Sequence, residues 1–366
     1  MTVPKNVLVQ FPSAWVPFKE FAANKEDFIG FEAFVQGNTI NGVPRVAQIQ
    51  IWEFFTGLAF GFVESVDFAD GSMKIENGPN LRINDPNGVF SVGNPAVPVD
   101  GSGRPISPLM TADDQSPSIT AYSGFPMCIP RNDTDPLCAL SQRPFAGPGI
   151  FTAPDPLVAA PFQAGDYIQY LGYRRGNEVI AYSIVAQNVQ INTLGDVAYV
   201  RMELALLGIS NPSTNVEIAE SRFIGYTSNN RATAVLYARD INPCTGVVTN
   251  RILAAVPLRG GANEQNKFIY QADLLSRYTR EYYVELEVDG IVTTFNTKNG
   301  FRAGTYITPV TEWVQGEQNI PGTQPPAMDF SNMAFLTRGV GPDADGNIWG
   351  PLDPFPQTGV LAVSPC

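Results

Sequence analysis

The chain has 366 residues, a formal net charge of −12 and no histidine. Catalytic triads with an imidazole base and metal sites ligated by histidine are therefore excluded within this chain. A pI of about 4.5 disfavours nucleic acid as a partner, because binding to phosphates depends on Lys and Arg. The sequence has no run of about 18 consecutive apolar residues, so it predicts no membrane-spanning helix.

Alternation of apolar and polar residues, interrupted by Gly, Pro, Asn and Asp, predicts an all-β protein. Weak helical patterns at residues 16–23 and 47–55 precede a hairpin and a third short strand over 61–83. A matching set of strands runs from 166 to 203. These two sets predict an OB-like or related antiparallel barrel within residues 1–215.

A long stretch rich in Pro, Gly, Ser and Asp separates the two sets of strands, at about residues 86–161. Loops of this length are rarely without structure inside a compact domain. We interpret it as an insertion or lid that crosses the barrel and is held by Cys128 and Cys138. The alternative is a linker between two separate domains.

From residue 216 the spacing changes to seven short strands, with turns about every ten residues. This spacing predicts an immunoglobulin-like β-sandwich over 216–314. The clearest hairpin turns at Asp289-Gly290, and the strand before it places Tyr282, Val284 and Leu286 on one face. The Pro- and Gly-rich tail, residues 315–366, is predicted to wrap the surface.

Four cysteines bear on the compartment: Cys128, Cys138, Cys244 and Cys366. Turn residues between Cys128 and Cys138 favour a disulfide there, and Cys244 with Cys366 is the remaining pair. The alternative is four unpaired thiols in a reducing compartment. Asn132-Asp-Thr134 is a glycosylation motif inside the Cys128–Cys138 loop, which favours secretion.

Four phrases of the chain carry a resemblance: residues 81–90 (LRINDPNGVF), 123–131 (SGFPMCIPR), 240–246 (DINPCTG) and 297–300 (TKNG). They are similar to phrases of a group of uncharacterised β-rich secreted proteins of filamentous fungi and some bacteria. The resemblance implies an extracellular β-rich fold and supplies no catalytic residues. In that group the phrase at residues 2–6 lies after a leader, which implies that the leader of this chain has been removed or truncated.

A candidate calcium loop contains the oxygen donors Asp343, Asp345 and Asn347, with Asp353 as a further donor. The order of the donors differs from that of an EF-hand loop, and the alternative is an Asx-rich surface turn. Calcium is the one cofactor that the sequence suggests.

Aromatic side chains are the best candidates for binding. Tyr167 and Tyr173 are predicted on one face of a strand, and Trp313 and Trp349 lie in irregular segments. Sugar rings stack on exposed aromatic faces, and small barrels often present such faces. The alternative is that these rings fill cores.

Three functions follow from these patterns. The first is a secreted, non-catalytic protein with a binding or structural role at a cell surface, cell wall or matrix, with a polysaccharide or a protein surface as partner. The second is a polysaccharide hydrolase or lyase that uses carboxylates beneath the insertion, with Glu64, Glu76, Asp166 and Glu178 as the best-placed acids. The third is a virion or assembly protein. The patterns predict no oligomeric state.

Overall fold

The structure is a computed structural model that describes residues 1–3, 7–11, 15–28, 33–40, 43–51, 59–92, 110–213, 216–241, 247–259, 266–272, 279–309, 341–342 and 348–349. Strands predominate in these residues and helix is scarce, so the predicted all-β class is confirmed. In these ranges no helix is long and apolar enough to cross a membrane.

The strands before residue 92 are β1 (Leu8–Gln10), β2 (Trp15–Pro17), β3 (Ala33–Ile40), β4 (Val43–Ile51), β5 (Ala59–Asp67), β6 (Ser72–Ile75) and β7 (Asn80–Ile83). The next are β8 (Ile119–Ala121), β9 (Met127–Cys128), β10 (Gly149–Thr152), β11 (Ala160–Pro161), β12 (Tyr167–Arg175), β13 (Glu178–Ala186), β14 (Val189–Asn192) and β15 (Val200–Ser213). The last are β16 (Val216–Thr227), β17 (Ala232–Ile241), β18 (Val248–Pro257), β19 (Lys267–Ala272), β20 (Thr279–Val288), β21 (Ile291–Val292), β22 (Phe295–Asn296), β23 (Arg302–Ala303), β24 (Thr305–Pro309), β25 (Gly341–Pro342) and β26 (Ile348–Trp349). Helix α1 is Phe18–Ala23, and 3-10 turns span Lys25–Phe28 and Leu140–Gln142.

Five strands close into a barrel in the order β12-β5-β6-β7-β13, and pairing of β13 with β12 completes the ring. Neighbouring strands are antiparallel except β7 and β13, which run parallel. Alternate side chains point inward and are buried, among them Val63, Met73, Ile168 and Val179. The predicted barrel is therefore present, with one parallel pair.

The β12–β13 ladder has a bulge between Leu171 and Gly172. A Cβ added at Gly172 would lie 2.4 Å from the carbonyl oxygen of Ile180. Only glycine fits at this position without moving the neighbouring backbone.

The insertion between β7 and β12 packs on the barrel and contains strands of its own. β8 adds to the barrel sheet as a parallel neighbour of β13, and Phe90, Phe125 and Phe162 are buried in the barrel core. A disulfide joins Cys128 to Cys138 with a Cα–Cα distance of 6.0 Å, as predicted.

A fully buried ion pair attaches the insertion to the barrel. The two guanidinium nitrogens of Arg143 donate to the two carboxylate oxygens of Asp166 at 3.0 and 2.9 Å. Neither side chain is accessible to water. Arg143 also donates to the carbonyl oxygens of Gly147 and Pro161, so this one side chain fastens two further points of the insertion.

A second core lies outside the barrel. Here the sheet β15-β16-β19 faces the sheet β18-β17-β20, in which β21 and β24 also pair with β20. Phe223 and Tyr282 contact each other from opposite sheets, with ring centroids 4.4 Å apart.

Asp289 and Gly290 have φ values of 54° and 80°, as the predicted hairpin turn requires. The sequence predicts a domain boundary after residue 215. This position lies between β15 and β16, which are antiparallel neighbours with Val200 opposite Thr227 and Ser213 opposite Val216.

The first strands add a third sheet, β2-β1-β4-β3, to the second core. The expected helix at 16–23 is present over Phe18–Ala23. The expected helix at 47–55 is wrong over its first part, because residues 47–51 belong to β4. This strand lies between β1 and β3, and two neighbouring ladders hold Val46, Ile49 and Ile51 extended with their side chains buried.

We expect Asp166→Asn to lower the free energy of unfolding by about 3–5 kcal/mol, because it leaves the charge of Arg143 buried and unpaired. Lys298→Ala is the control, since it breaks the exposed pair of Lys298 with Asp155, whose side chains are 61% and 43% accessible. That change should cost less than about 1 kcal/mol. Urea unfolding measures both, and equal effects would contradict the structural role of the buried pair.

Candidate functional site

Three aromatic rings meet on the outer face of the barrel, and we call them the aromatic platform: Phe60, Phe62 and Tyr167. Along β5, Val63 points into the barrel and a side chain at Gly61 would meet Ile75 there. The strand period of two therefore places Phe60 and Phe62 outside, where they are 48% and 47% exposed.

Strand register brings Tyr167 to these two rings. Tyr167 lies directly opposite Phe62 in the β12–β5 ladder. Its ring stacks near Phe60 with centroids 6.1 Å apart and planes 19° apart, and it is 4.8 Å from Phe62 at an angle of 44°. The three rings form a continuous apolar surface on rigid strands.

Two carboxamides border the platform. Gln169 lies opposite Phe60, and its Oε1 accepts a hydrogen bond of 2.8 Å from Nε2 of Gln187. The backbone N–H of Gln187 donates to the carbonyl oxygen of Tyr167. Each carboxamide has two N–H donors and an acceptor oxygen, so this pair keeps donors and acceptors for a ligand.

The outer face of β12 changes character along its length. Tyr167 and Gln169 lie on the surface, whereas Leu171 and Tyr173 pack against the second core. Tyr173 is only 9% exposed, so it does not join Tyr167 in a binding face as the sequence predicted. Phe60 and Phe62 were absent from the predicted site, although their spacing of two residues around the inward Gly61 is the pattern of an exposed strand face.

The remaining predicted residues are placed as follows. Trp349 is in β26, paired with β25. Trp313, Asp343, Asp345, Asn347, Asp353, Cys244 and Cys366 lie outside the described residues. Among the side chains that the structure does describe, no group of three or more Cys, Asp or Glu is arranged to hold a metal ion. The predicted calcium loop therefore remains a prediction.

Two of the four acids proposed for catalysis are held in ion pairs. Asp166 forms the buried ion pair with Arg143, and the carboxylate of Glu178 lies 3.3 Å from the guanidinium of Arg82. Glu64 and Glu76 are exposed on the first hairpin.

A different acidic cleft, with a volume of about 210 Å³, lies at the base of the insertion beside Asp85, Asp113 and Asp114. Asp85 holds the neighbouring loop, because its carboxylate accepts the backbone N–H groups of Val89, Phe90 and Ser91. Asp113 accepts N–H groups from Gln115 and Ser116 through Oδ1.

Burial raises the pKa of both Asp85 and Asp113, although the amide hydrogen bonds oppose it. A raised pKa of one carboxyl group in a cleft is what general acid catalysis uses. It is also what partial burial of a loop anchor produces.

No known protein-family model matches this chain, and no curated protein matches it.

The pKa shifts predict opposite pH effects for two aspartates. Burial of Asp113 raises its pKa, so its contribution to stability falls as the pH rises above about 4. As the pH rises from 3 to 7, the free energy of unfolding of Asp113→Asn should therefore increase relative to that of the native protein.

Asp135 serves as the contrast. Burial alone would raise the pKa of Asp135, but amide N–H groups and the guanidinium of Arg131 outweigh it and lower the pKa. Its contribution is present above about pH 4 and is lost as the pH falls through the folded-state pKa. Over the same rise in pH, the free energy of unfolding of Asp135→Asn should therefore decrease relative to that of the native protein. Urea unfolding at both pH values tests the signs, and a common sign for the two variants would contradict them.

Proposed function

We propose that this chain is a secreted, non-catalytic protein that binds neutral polysaccharide through the aromatic platform. The observation that carries the proposal is the contact of Phe60, Phe62 and Tyr167 on the open face of the barrel. Aromatic rings offer large apolar area with a defined geometry, which suits the C–H face of a pyranose ring.

The polar border and the net charge favour a neutral ligand. Gln169 and Gln187 supply uncharged donors and acceptors beside the rings, a chemistry that suits sugar hydroxyls. Of the exposed acids, Glu64 lies on β5, the strand that carries Phe60 and Phe62, and the backbone N–H of Glu76 donates to the carbonyl oxygen of Phe62. The whole chain carries −12. These acids and the net charge would both repel anionic polysaccharides, so an uncharged glucan or chitin-like chain fits better.

We further propose that the barrel is of the OB type and that the following sheets form an immunoglobulin-like sandwich. The support for the barrel is its connectivity, in which the third and fifth strands, β7 and β13, are parallel and the others antiparallel. OB barrels bind oligosaccharides among other ligands, usually on their second and third strands; here the platform lies on the first and fourth. The support for the sandwich is the strand order β15-β16-β19 facing β18-β17-β20-β24.

An extracellular location is supported by the Cys128–Cys138 disulfide, because such bonds persist mainly in oxidising compartments. The buried position of both cysteines fits a structural bond.

Removing one ring of the platform tests the binding function. We expect Phe60→Ala and Tyr167→Ala each to weaken binding to insoluble neutral polysaccharide about tenfold, which corresponds to about 1.4 kcal/mol. Tyr167→Phe keeps the ring and should bind within about threefold of the native protein. The measurement is a depletion isotherm on cellulose, chitin and β-glucan, with a soluble glycan array in parallel.

The matched control is Phe145→Ala, because Phe145 is 43% exposed but belongs to the insertion. This variant should bind as the native protein does. The proposal would be contradicted if Phe145→Ala also lost binding, or if the native protein bound none of the polysaccharides.

A second function, glycosidic hydrolysis, is favoured by the acidic cleft beside Asp113 and Asp114. The binding proposal predicts that the native protein releases no reducing ends from the same polysaccharides. If the native protein does release reducing ends, and Asp113→Asn abolishes this release while Phe60→Ala does not, hydrolysis would replace binding as the function.

A further inference from the structure

The Asn132-Asp133-Thr134 motif projects from the loop that the Cys128–Cys138 disulfide closes. All three of its side chains are exposed. The chain contains no other Asn-x-Ser/Thr triplet in which x is not proline. The motif is thus a single, accessible acceptor in a loop of fixed ends.

Buried contacts on either side hold this loop in place. The carboxylate of Asp135 accepts the N–H groups of Arg131 and Leu137 at 3.0 and 2.9 Å, and the guanidinium of Arg131 at 2.8 Å. Arg131 also donates to the carbonyl oxygen of Gly88 in the preceding loop. These contacts lie beneath the motif and involve none of its three side chains.

The hydrogen bonds of Asn132 leave its amide nitrogen outside the local network. Oδ1 of Asn132 accepts both the backbone N–H and the hydroxyl of Thr134, each at 2.9 Å. Nδ2 is the atom that N-glycosylation modifies, and the reaction replaces one of its two hydrogens. A glycan on Nδ2 would therefore keep both contacts of Oδ1 and would extend into solvent.

We propose that Asn132 carries an N-linked glycan in the secreted protein, an inference that rests on the proposed secretion. Nδ2 forms a C–N bond with the anomeric carbon of a lipid-linked oligosaccharide pyrophosphate, and the C–O bond to the pyrophosphate breaks. Nδ2 loses one proton to the transferase, and the lipid pyrophosphate leaves. No oxidation or reduction is involved.

The test expresses the full chain behind a cleavable leader in a eukaryotic host and measures the intact mass before and after treatment with a peptide N-glycosidase, an amidase that hydrolyses the side-chain amide of the glycosylated asparagine. We expect a glycan mass on the native protein that the enzyme removes. Asn132→Gln and Thr134→Ala should lack it, whereas Thr134→Ser should keep it, because the serine hydroxyl can make the same contact. Peptide mapping of the treated protein should show the conversion of Asn132 to Asp.

A native chain that is secreted with its disulfide formed but is unmodified at Asn132 would overturn the inference. Polysaccharide binding by the same samples separates this result from the binding function. Asn132→Gln should bind as the native protein does, and Phe60→Ala should keep its glycan.

Discussion

The buried pair of Arg143 and Asp166 sets the geometry on which the candidate site depends. Asp166 is the residue immediately before β12, and its carbonyl oxygen accepts the N–H of Val63 in β5 at 2.8 Å. This hydrogen bond begins the β12–β5 ladder and places Tyr167 opposite Phe62. Because a shift of one residue would turn every side chain of β12 to the other face, the pair that holds Asp166 also determines that Tyr167 lies outside the barrel.

Three aspartates in or beside the insertion hold the backbone of its turns. Turns leave backbone N–H groups outside helices and ladders, and such groups need acceptors when they are buried. Asp85, Asp113 and Asp135 each accept at least two of these N–H groups, and each lies in the insertion or at its edge. Carboxylates that hold loops in this way need neither a metal ion nor a reaction to explain their burial.

The strands were predictable because alternation acts locally, whereas the site depended on contacts between distant segments. Tyr282, Val284 and Leu286 are buried as their pattern predicts, since one covered face is enough to explain it. Tyr173 shows the limit, because alternation assigns Tyr167 and Tyr173 to the same face but does not say that the second core covers only one end of it. The helix expected at 47–55 failed for a similar reason, since ladders with β1 and β3 determine the conformation of residues 47–51.

Three adjoining rings at the surface, two of them about half exposed, argue for a ligand more strongly than a single exposed ring does. Single apolar side chains on a surface are ordinary, but contiguous ones mark interaction sites more often. Ile291, at 68%, is more exposed than Phe60, yet it stands beside a hairpin turn. The platform in contrast lies on two paired strands of a closed barrel, where its rings are held before any ligand arrives. The three side chains would then lose little conformational entropy on binding. A low entropic cost favours the binding of a flat, repetitive polymer that makes only weak contacts.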